Sequence, residues 1–258
     1  KGKVYRLKGY NIPEFGRTAK GLPIVNILNL DKDESVKSLI NINKKMIEED
    51  KHWYLFFATE QGLVKRVDIS EFENIRQTGK LKEDDSLVGV KLTKGDDEIL
   101  IAASNGKLVR FSEGHVRPMG RSASGVRGIN VDGSKVIGMT TNREGQLIMV
   151  VTEKGYGKMS PIDEYRVSNR GGKGVKTINV TERNGQIVAI RAVEGNEDLL
   201  IITDDGIVIR LPMEQVKTAG RATQGVRLIK VHDSKVSSVE VVAKNEEEVV
   251  EEGEEESE

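Results

Sequence analysis

A glycine that recurs at a nearly constant interval constrains the fold of this chain more than any other feature of its sequence. Each copy after the first follows an apolar run of strand length, as in ILIAASNGKLVRF and LLIITDDGIVIRL. A period of about 40–50 residues is typical of proteins built from one repeated supersecondary unit. The copies are Gly2, Gly62, Gly106, Gly155 and Gly206, at successive intervals of 60, 44, 49 and 51 residues.

A second glycine lies 19 residues after the first in four of the five units. An arginine precedes this glycine by four positions and an aliphatic residue follows it, so that each corner reads like GRSASGV. Such glycines indicate tight turns, since glycine alone adopts a positive φ freely. In the second unit, Gly79 and Lys80 mark a degenerate or shifted corner. The corner arginines of the other four units are Arg17, Arg121, Arg170 and Arg221.

The segments between these glycines are predicted to be short β-strands. Val- and Ile-rich segments alternate with Asn-Gly, Asp-Gly and Lys-Gly turns at a spacing of about 8–12 residues, which is typical of antiparallel structure. In chain order, each unit holds a corner piece such as GVKTINV, a second piece such as KVIGMTT, the long apolar run and the segment after its glycine. The sequence therefore predicts an all-β, propeller-like array of four-stranded blades. Residues 44–50 are predicted to form a short helical turn.

The charge distribution separates a basic body from an acidic tail. Residues 246–258 contain nine Glu and no Lys or Arg, while the whole chain has a formal net charge of −1. Positions 1–245 therefore carry 40 basic and 32 acidic residues, a net charge of +8. A basic body indicates a polyanionic partner, and the tail either competes for the same surface or is only a solubilising, disordered terminus. We expect a basic domain over 1–243, which binds the polyanion, and a disordered acidic tail over 244–258.

Cations recur at fixed positions of the repeat, and units related by rotation would place them in one basic band. Arginine lies four residues after the first glycine in every unit but the fourth, where Met159 stands beside Lys158. One arginine can bind two phosphate oxygens at once, and glycine lets backbone N–H groups approach a phosphate. A nucleic-acid backbone therefore fits the band better than a compact ligand. The predicted DNA-binding residues are Arg6, Arg17, Lys20, Arg66, Arg110, Arg121, Arg127, Lys158, Arg170, Lys173, Lys176, Arg210, Arg221 and Arg227.

Other roles for these cations remain open at this point. A corner arginine could instead brace neighbouring blades by bonding to carbonyls or to a buried acid, and Arg66 or Arg210 could be a solvated surface charge. Aromatic residues make up only 4% of the chain, so a platform for stacking the bases of a single strand is not favoured. The expected ligand is therefore a bent DNA duplex, held by its backbone with weak sequence readout.

The sequence gives no indication of catalysis. The chain has no cysteine, which excludes disulfides, thiolate metal sites and cysteine nucleophiles and fits a reducing, cytosolic setting. His52, His115 and His232 are scattered without metal-ligand spacing, and no GxSxG or Walker motif occurs. No apolar run reaches the roughly 18 residues that indicate a membrane span. We expect no catalytic residue, no metal, no cofactor and no membrane contact.

The repeats resemble those of a known family, the DNA-wrapping domains found at the C-terminus of the gyrase A protein. RGGKG, at residues 170–174, equals the last five residues of that family's heptapeptide box, QRRGGKG, while Ser168 and Asn169 replace its Gln and Arg. Further similar segments are GRTAKGLPIVNIL, VRPMGRSASGVRGI, NVTERNGQIV and GRATQGVRLI, which together run over nearly all of positions 1–243. The resemblance implies a six-bladed β-pinwheel that binds and wraps double-stranded DNA, and we expect this chain to be an all-β, propeller-like β-pinwheel of about five to six four-stranded blades.

The resemblance also implies the setting of the domain. The parent would be an ATP-dependent type II DNA topoisomerase, a gyrase that acts in the cytoplasm at the nucleoid. Its DNA-cleaving tyrosine would lie in an upstream core, and ATP hydrolysis would belong to the gyrase B protein. This segment itself would be a non-catalytic monomer with an acidic tail that modulates DNA binding. The alternatives are a propeller that docks proteins and the corresponding C-terminal domain of topoisomerase IV.

One departure from the family pattern concerns the first blade. The family's box lies in that blade, whereas the partial match here lies in a later repeat. We therefore expect most of the first blade to lie upstream of residue 1, and wrapping by this segment to be weak.

Overall fold

The computed structural model describes residues 3–16, 18–32, 34–43, 52–72 and 85–244. These ranges contain β-strands and short 3-10 helices but no α-helix, and no helix in them is long and apolar enough to cross a membrane. The strands are β1 Tyr54–Thr59, β2 Leu63–Asp68, β3 Leu87–Thr93, β4 Glu98–Ala103, β5 Lys107–Ser112, β6 Val126–Arg127, β7 Val136–Thr141, β8 Leu147–Thr152, β9 Tyr156–Pro161, β10 Val175–Lys176, β11 Ile187–Val193, β12 Asp198–Thr203, β13 Val208–Pro212, β14 Val226–Arg227 and β15 Val236–Val242. The 3-10 helices are Gly9–Asn11, Ile24–Asn26, Ile69–Phe72, Glu113–His115, Ile162–Glu164 and Met213–Gln215.

The strands form four antiparallel sheets, one for each of the last four repeats. The strand orders are β3-β1-β2-β6, β10-β5-β4-β7, β11-β8-β9-β14 and β13-β12-β15. The prediction of an all-β array of four-stranded blades is confirmed for the first three sheets, while the fourth sheet has three strands in the described part of the chain. The described residues of the first repeat contain two 3-10 helices and no strand.

The outermost strand of each four-stranded sheet comes from the following repeat. β6 follows β5 in the chain but pairs with β2 of the preceding sheet, and β10 and β14 pair with β5 and β9 in the same way. The second piece of each unit pairs with the apolar run before it, as β7 does with β4. The sequence therefore identified the four kinds of strand, but a blade is not four successive segments of the chain. The exchange links each repeat to the next.

The strand order also defines an inner and an outer side of the array. β3, β7, β11 and β15 each form the edge of a sheet opposite the exchanged strand, and they contact one another in succession. The exchanged strands β6, β10 and β14 therefore lie on the outer rim. Between successive sheets, large apolar clusters form the core, with Phe56, Ile101 and Phe111 in one and Met149 and Ile201 in another.

The two recurring glycines lie where neighbouring repeats cross. Gly106 has a φ of +86°, and a Cβ atom there would stand 2.7 Å from the carbonyl oxygen of Ile178 in the following repeat. Gly125 also has a φ of +86°, and its Cβ atom would stand 2.6 Å from the carbonyl oxygen of Val64 in the preceding repeat. Any side chain at these positions would strain the backbone and block the crossing. Six of the eight described glycines of the two sets meet a neighbouring repeat in this way, whereas Gly21 and Gly206 have open space around them.

Four predictions lie outside the described residues. They are the corner arginine Arg17, the helical turn at residues 44–50, the degenerate corner at Gly79 and Lys80, and the acidic tail from residue 245 onward.

Candidate nucleic-acid interface

Each corner loop lies along the second strand of the preceding repeat. The amide of Met119 donates to the carbonyl of Arg66 at 2.9 Å, and the amide of Ser168 donates to the carbonyl of Arg110 at 2.8 Å. The amide of Ala219 donates to the carbonyl of Met159 in the same way, at 2.9 Å. The loop between each 3-10 helix and the following exchanged strand is thereby held on the outer side of the sheet.

The described corner arginines brace these loops against the preceding repeat. Arg170 donates from Nε to the carbonyl of His115 and from Nη1 to the carbonyl of Arg127, both at 3.0 Å. Arg221 donates from Nη1 to the carbonyl of Lys176 at 3.0 Å. Arg127 and Lys176 are the second residues of two exchanged strands, so the acceptors are equivalent. The bracing interpretation therefore describes what these guanidinium groups do in the structure.

Arg121 makes a weaker version of the same contact. Its Nη1 lies 3.5 Å from the carbonyl oxygen of Glu71. Glu71 and His115 are equivalent acceptors, because each is the third residue of the 3-10 helix in its repeat. The guanidinium carbon of Arg121 also lies 5.2 Å from the ring centroid of Phe72. The three described corner arginines thus all reach the preceding repeat.

The arginines four residues after the first glycine belong to pairs within a sheet. Arg110 donates from Nε to a carboxylate oxygen of Glu98 at 2.7 Å, and Arg210 bonds to Asp198 at 2.6 Å in the same way. Glu98 and Asp198 each precede their arginine by 12 residues and lie diagonally across from it in the sheet. Arg110 also donates from Nη1 to the carbonyl of Ile162 in the following repeat at 2.8 Å.

The same pair of positions changes together in the other two sheets. Twelve residues before Arg66 lies Tyr54, and the guanidinium carbon lies 4.5 Å from its ring centroid. In the fourth repeat, Met159 replaces the arginine and Leu147 replaces the acid, and both side chains join one hydrophobic cluster. Where the arginine is absent, its partner is apolar as well. This paired change indicates that the two positions stabilise the contact between neighbouring strands. We name Arg66, Arg110, Arg121, Arg170, Arg210 and Arg221 the bracing arginines.

Two of the predicted DNA-binding residues are buried. Arg66 is 7% exposed and bonds to Glu113, while Lys158 is fully buried and donates to the hydroxyl of Ser160 at 2.6 Å. The pKa of Lys158 is lowered to about 8, mainly by burial and to a lesser extent by the nearby charge of Arg221, while the charge of Glu164 opposes the change. Phosphate contact by Arg66 or Lys158 does not fit this burial. The sequence could not show it, because consecutive residues of β9 are buried on both faces of the sheet.

Other predicted cations are exposed on the outer rim. Arg127, Lys176 and Arg227 are the second residues of the exchanged strands, 21 positions after the first glycine of their repeats. Lys173 is also exposed and lies 3.1 Å from a carboxylate oxygen of Asp132, an ion pair between exposed groups that contributes little to stability. Arg6 and Lys20 of the first repeat are exposed as well.

Sequence reasoning missed a second set of rim cations. Three exposed cations lie 11 positions after the first glycine of successive repeats, each directly after a buried residue of the corner loop. They could have been found by scanning every offset of the repeat instead of the surroundings of the glycines. These residues are Arg117, Arg166 and Lys217.

The cations at these two offsets are similar in their surroundings. Five of the six side chains form no hydrogen bond or ion pair with the described residues, and the sixth, that of Arg227, donates to the hydroxyl of Tyr156 at 2.9 Å. Their charges are therefore available to a partner. We name these residues the rim cations: Arg117, Arg127, Arg166, Lys176, Lys217 and Arg227.

Exchanged strands and a basic outer rim define the class of this protein as a β-pinwheel domain. The family model described as "DNA gyrase C-terminal domain, beta-propeller" matches residues 1–43, 54–94, 97–142, 146–194 and 197–243. The chain belongs to this family. The five matched segments correspond to the five repeats read from the glycine spacing.

Curated relatives agree with the family match. The chain is 48% identical to the gyrase A protein of Staphylococcus epidermidis over an alignment of 255 positions, which covers 96% of this chain and 28% of the relative. It is 46% identical to the gyrase A protein of Staphylococcus aureus over an alignment of 263 positions, which covers 99% of this chain and 29% of the relative. The chain thus spans less than a third of the length of these relatives.

Solved structures agree with the fold. The C-terminal domain of DNA topoisomerase IV superposes with a TM-score of 0.84 at 25% sequence identity, over 94% of this chain and 77% of that one. The DNA gyrase A C-terminal domain superposes with a TM-score of 0.77 at 20% identity, over 93% of this chain and 79% of that one.

Proposed function

We propose that this domain binds duplex DNA along its outer rim and wraps it, as the C-terminal domain of a gyrase A protein. The observation that carries the proposal is the exposure of the rim cations at two constant offsets in successive repeats. Successive exchanged strands carry these charges around the outside of the array, so that a duplex following them would bend. The bend costs about 1–6 kcal/mol for a short site, which phosphate contacts along the path offset.

The proposal divides the predicted residues into two groups. The bracing arginines hold the corner loops and sheets in place, while the rim cations contact phosphate. Lys173, Lys20 and Arg6 are retained as further phosphate contacts because they are exposed. Arg17 stays a prediction, since it lies outside the described residues.

The parent protein that we propose is a bacterial gyrase. In it, this domain would present bent DNA to the rest of the gyrase A protein, and the gyrase B protein would supply ATP hydrolysis for negative supercoiling, in the cytoplasm at the nucleoid. The isolated domain would be a monomer without catalytic activity. A gyrase is favoured over topoisomerase IV because the identity to gyrase A proteins is 48%, against 25% for the topoisomerase IV domain.

A salt titration of duplex affinity tests DNA binding by the rim. Arg117→Gln together with Arg166→Gln removes two rim cations and no described hydrogen bond. Because each neutralised phosphate contributes about −0.9 to the slope of log K against log salt, we expect the slope to become less steep by about 1.8. The matched control is Lys135→Gln with Lys235→Gln, which removes two exposed charges next to the inner strands β7 and β15. Equal effects of the two double variants would reject a rim-specific interface.

Wrapping is tested separately from binding. Nicked plasmid is sealed by ligase in the presence of increasing amounts of the domain, and the change in linking number is measured. We expect a change that grows with protein and is smaller for Arg117→Gln with Arg166→Gln. Binding without any change in linking number would leave a DNA-binding domain that does not wrap.

A further inference from the structure

Two arginines from different segments converge on one tyrosine hydroxyl at the rim of the third sheet. Arg227 in β14 lies directly opposite Tyr156 in β9 and donates from Nη2 to the hydroxyl at 2.9 Å. Arg183, in the turn before β11, donates from Nε to the same oxygen at 3.1 Å. Their guanidinium carbons lie 5.4 and 5.6 Å from the ring centroid of Tyr156. One neutral oxygen atom therefore holds two positive charges.

This concentration of positive charge has no acidic partner within the described ranges. There, neither Arg183 nor Arg227 forms an ion pair with a carboxylate. A third cation is close, because Lys154 donates to the carbonyl of Glu182, the residue before Arg183. The hydrogen bonds from Arg183 and then Arg227 lower the pKa of Tyr156, which indicates that negative charge is stabilised at this point. Two guanidinium groups that bond to the same oxygen atom repel each other, and an anion between them would offset this repulsion.

The arrangement is not required by the repeat. The position of Tyr156 is taken by Leu63 in the first sheet, opposite Arg127, and by Lys107 in the second sheet. The turn that carries Arg183 is two residues longer than the equivalent turns of the repeats before and after it, which end at Val136 and Val236. The other sheets form the same strand exchange without these side chains. A purely structural need therefore does not account for the second arginine.

We propose that Arg183 and Arg227 form a clamp for a phosphate group, with Tyr156 as a positioning residue that holds both guanidinium groups before the anion arrives. The ligand is a phosphodiester of the DNA backbone, a source that rests on the proposed DNA binding by the rim. Each guanidinium group has five N–H donors, so it can bond to a phosphate oxygen while keeping its contact with the hydroxyl. Arg183 is thereby a DNA contact outside the two rim offsets.

Duplex affinity provides the first test of the clamp. We expect Arg183→Gln to weaken duplex binding at low salt by about tenfold. Only its combination with Arg227→Gln, which leaves the shared phosphate without either cation, should make the salt slope less steep by about 0.9. Arg183→Gln should have a smaller effect in a chain that already carries Arg227→Gln, because the two side chains share one phosphate. Lys135→Gln, with the same loss of charge, should leave the affinity unchanged. Additive effects of the two arginine substitutions would overturn the shared site.

Arginine Nε–H resonances provide a second test, which does not depend on affinity. They are assigned with Arg183→Gln and Arg227→Gln, and the full chain is titrated with dimethyl phosphate, with inorganic phosphate and with a short duplex. We expect dimethyl phosphate and the duplex to shift both resonances. Tyr156→Phe, which keeps the ring but removes the acceptor, should weaken the response to dimethyl phosphate.

The outcomes separate the clamp from the wider proposal about the rim. Shifts with inorganic phosphate but not with dimethyl phosphate or the duplex would overturn the DNA backbone as the source. No shift with any of the three would overturn the clamp, even if gel shifts still show duplex binding. If the duplex does not bind at all but dimethyl phosphate shifts both resonances, the rim proposal fails and the phosphate site stands.

Discussion

The bracing arginines and the rim cations both recur at fixed offsets, but they differ in what surrounds them. The guanidinium group of Arg110 is bonded to Glu98 and to two main-chain carbonyls, and it is largely shielded from solvent. The side chains of Arg117 and Arg166, in the corner loops outside the sheets, are exposed and have no described partner. Recurrence in a repeat protein therefore identifies a shared role without telling whether that role is structural or functional. The partners of each side chain make that distinction.

The largest effect that we expect comes from breaking the ion pair of a bracing arginine. Arg110→Met should lower the free energy of unfolding by about 3 kcal/mol, because it leaves the carboxylate of Glu98 without its partner in a largely buried position. Urea denaturation followed by far-UV circular dichroism measures this loss.

The fourth repeat supplies a matched rescue for this variant. Adding Glu98→Leu to Arg110→Met reproduces the natural pair Leu147 and Met159, and it should restore at least half of the lost stability. If the double variant were as unstable as the single one, the interpretation of these positions as an interchangeable structural pair would be wrong.

The buried cation Lys158 is expected to destabilise the fold at neutral pH. The pKa of Lys158 is lowered from 10.5 to about 8, so its protonated form is disfavoured in the folded state. Below pH 8 this cost is present in full, and it disappears as the pH rises toward 10.5, where the unfolded chain also loses the proton. Lys158→Met should therefore raise the free energy of unfolding at pH 7 by about 2 kcal/mol.

The pH dependence provides the control for this variant. The stability difference between Lys158→Met and the unaltered chain should shrink between pH 8 and pH 10.5. A constant difference over that range would show that the lysine is not the titrating group.

The rim cations are expected to respond to the acidic tail, whereas the bracing arginines are not. Replacing the nine Glu of residues 246–258 by Gln keeps the length of the tail and removes its charge. Duplex affinity at low salt should rise about threefold, and the gain should vanish near 1 M salt, where the Debye length is about 3 Å. An unchanged salt titration would leave the tail as a solubilising terminus only.

The sequence was sufficient to predict the repeat, the strands and the family, because these depend on local features. Apolar runs of strand length and glycines at crossings such as Gly106 recur at readable intervals. The strand exchange was not predicted, since it pairs Val126 with Val64, 62 positions apart, and nothing local distinguishes it from pairing within the same repeat.

The candidate site was predicted only in part. Arg127, Lys176 and Arg227 were predicted to bind DNA and are exposed in the structure, while their contact with phosphate stays a prediction. The burial of Lys158 was not predicted, because it depends on packing against both faces of its sheet. One usable signal was overlooked: the positions 12 residues apart change together from Glu98 and Arg110 to Leu147 and Met159. Such paired changes within one chain indicate contacts between strands.

The central claim is most directly tested by comparing Arg127→Gln with Arg170→Gln in a salt titration of duplex affinity. Arg170 bonds to the main-chain carbonyl of Arg127, so the two substitutions affect adjacent points of the rim. The account predicts a slope less steep by about 0.9 for Arg127→Gln, and an unchanged slope for Arg170→Gln with a loss of stability of about 1 kcal/mol. A reduced slope for Arg170→Gln together with an unchanged slope for Arg127→Gln would contradict the division between bracing arginines and rim cations.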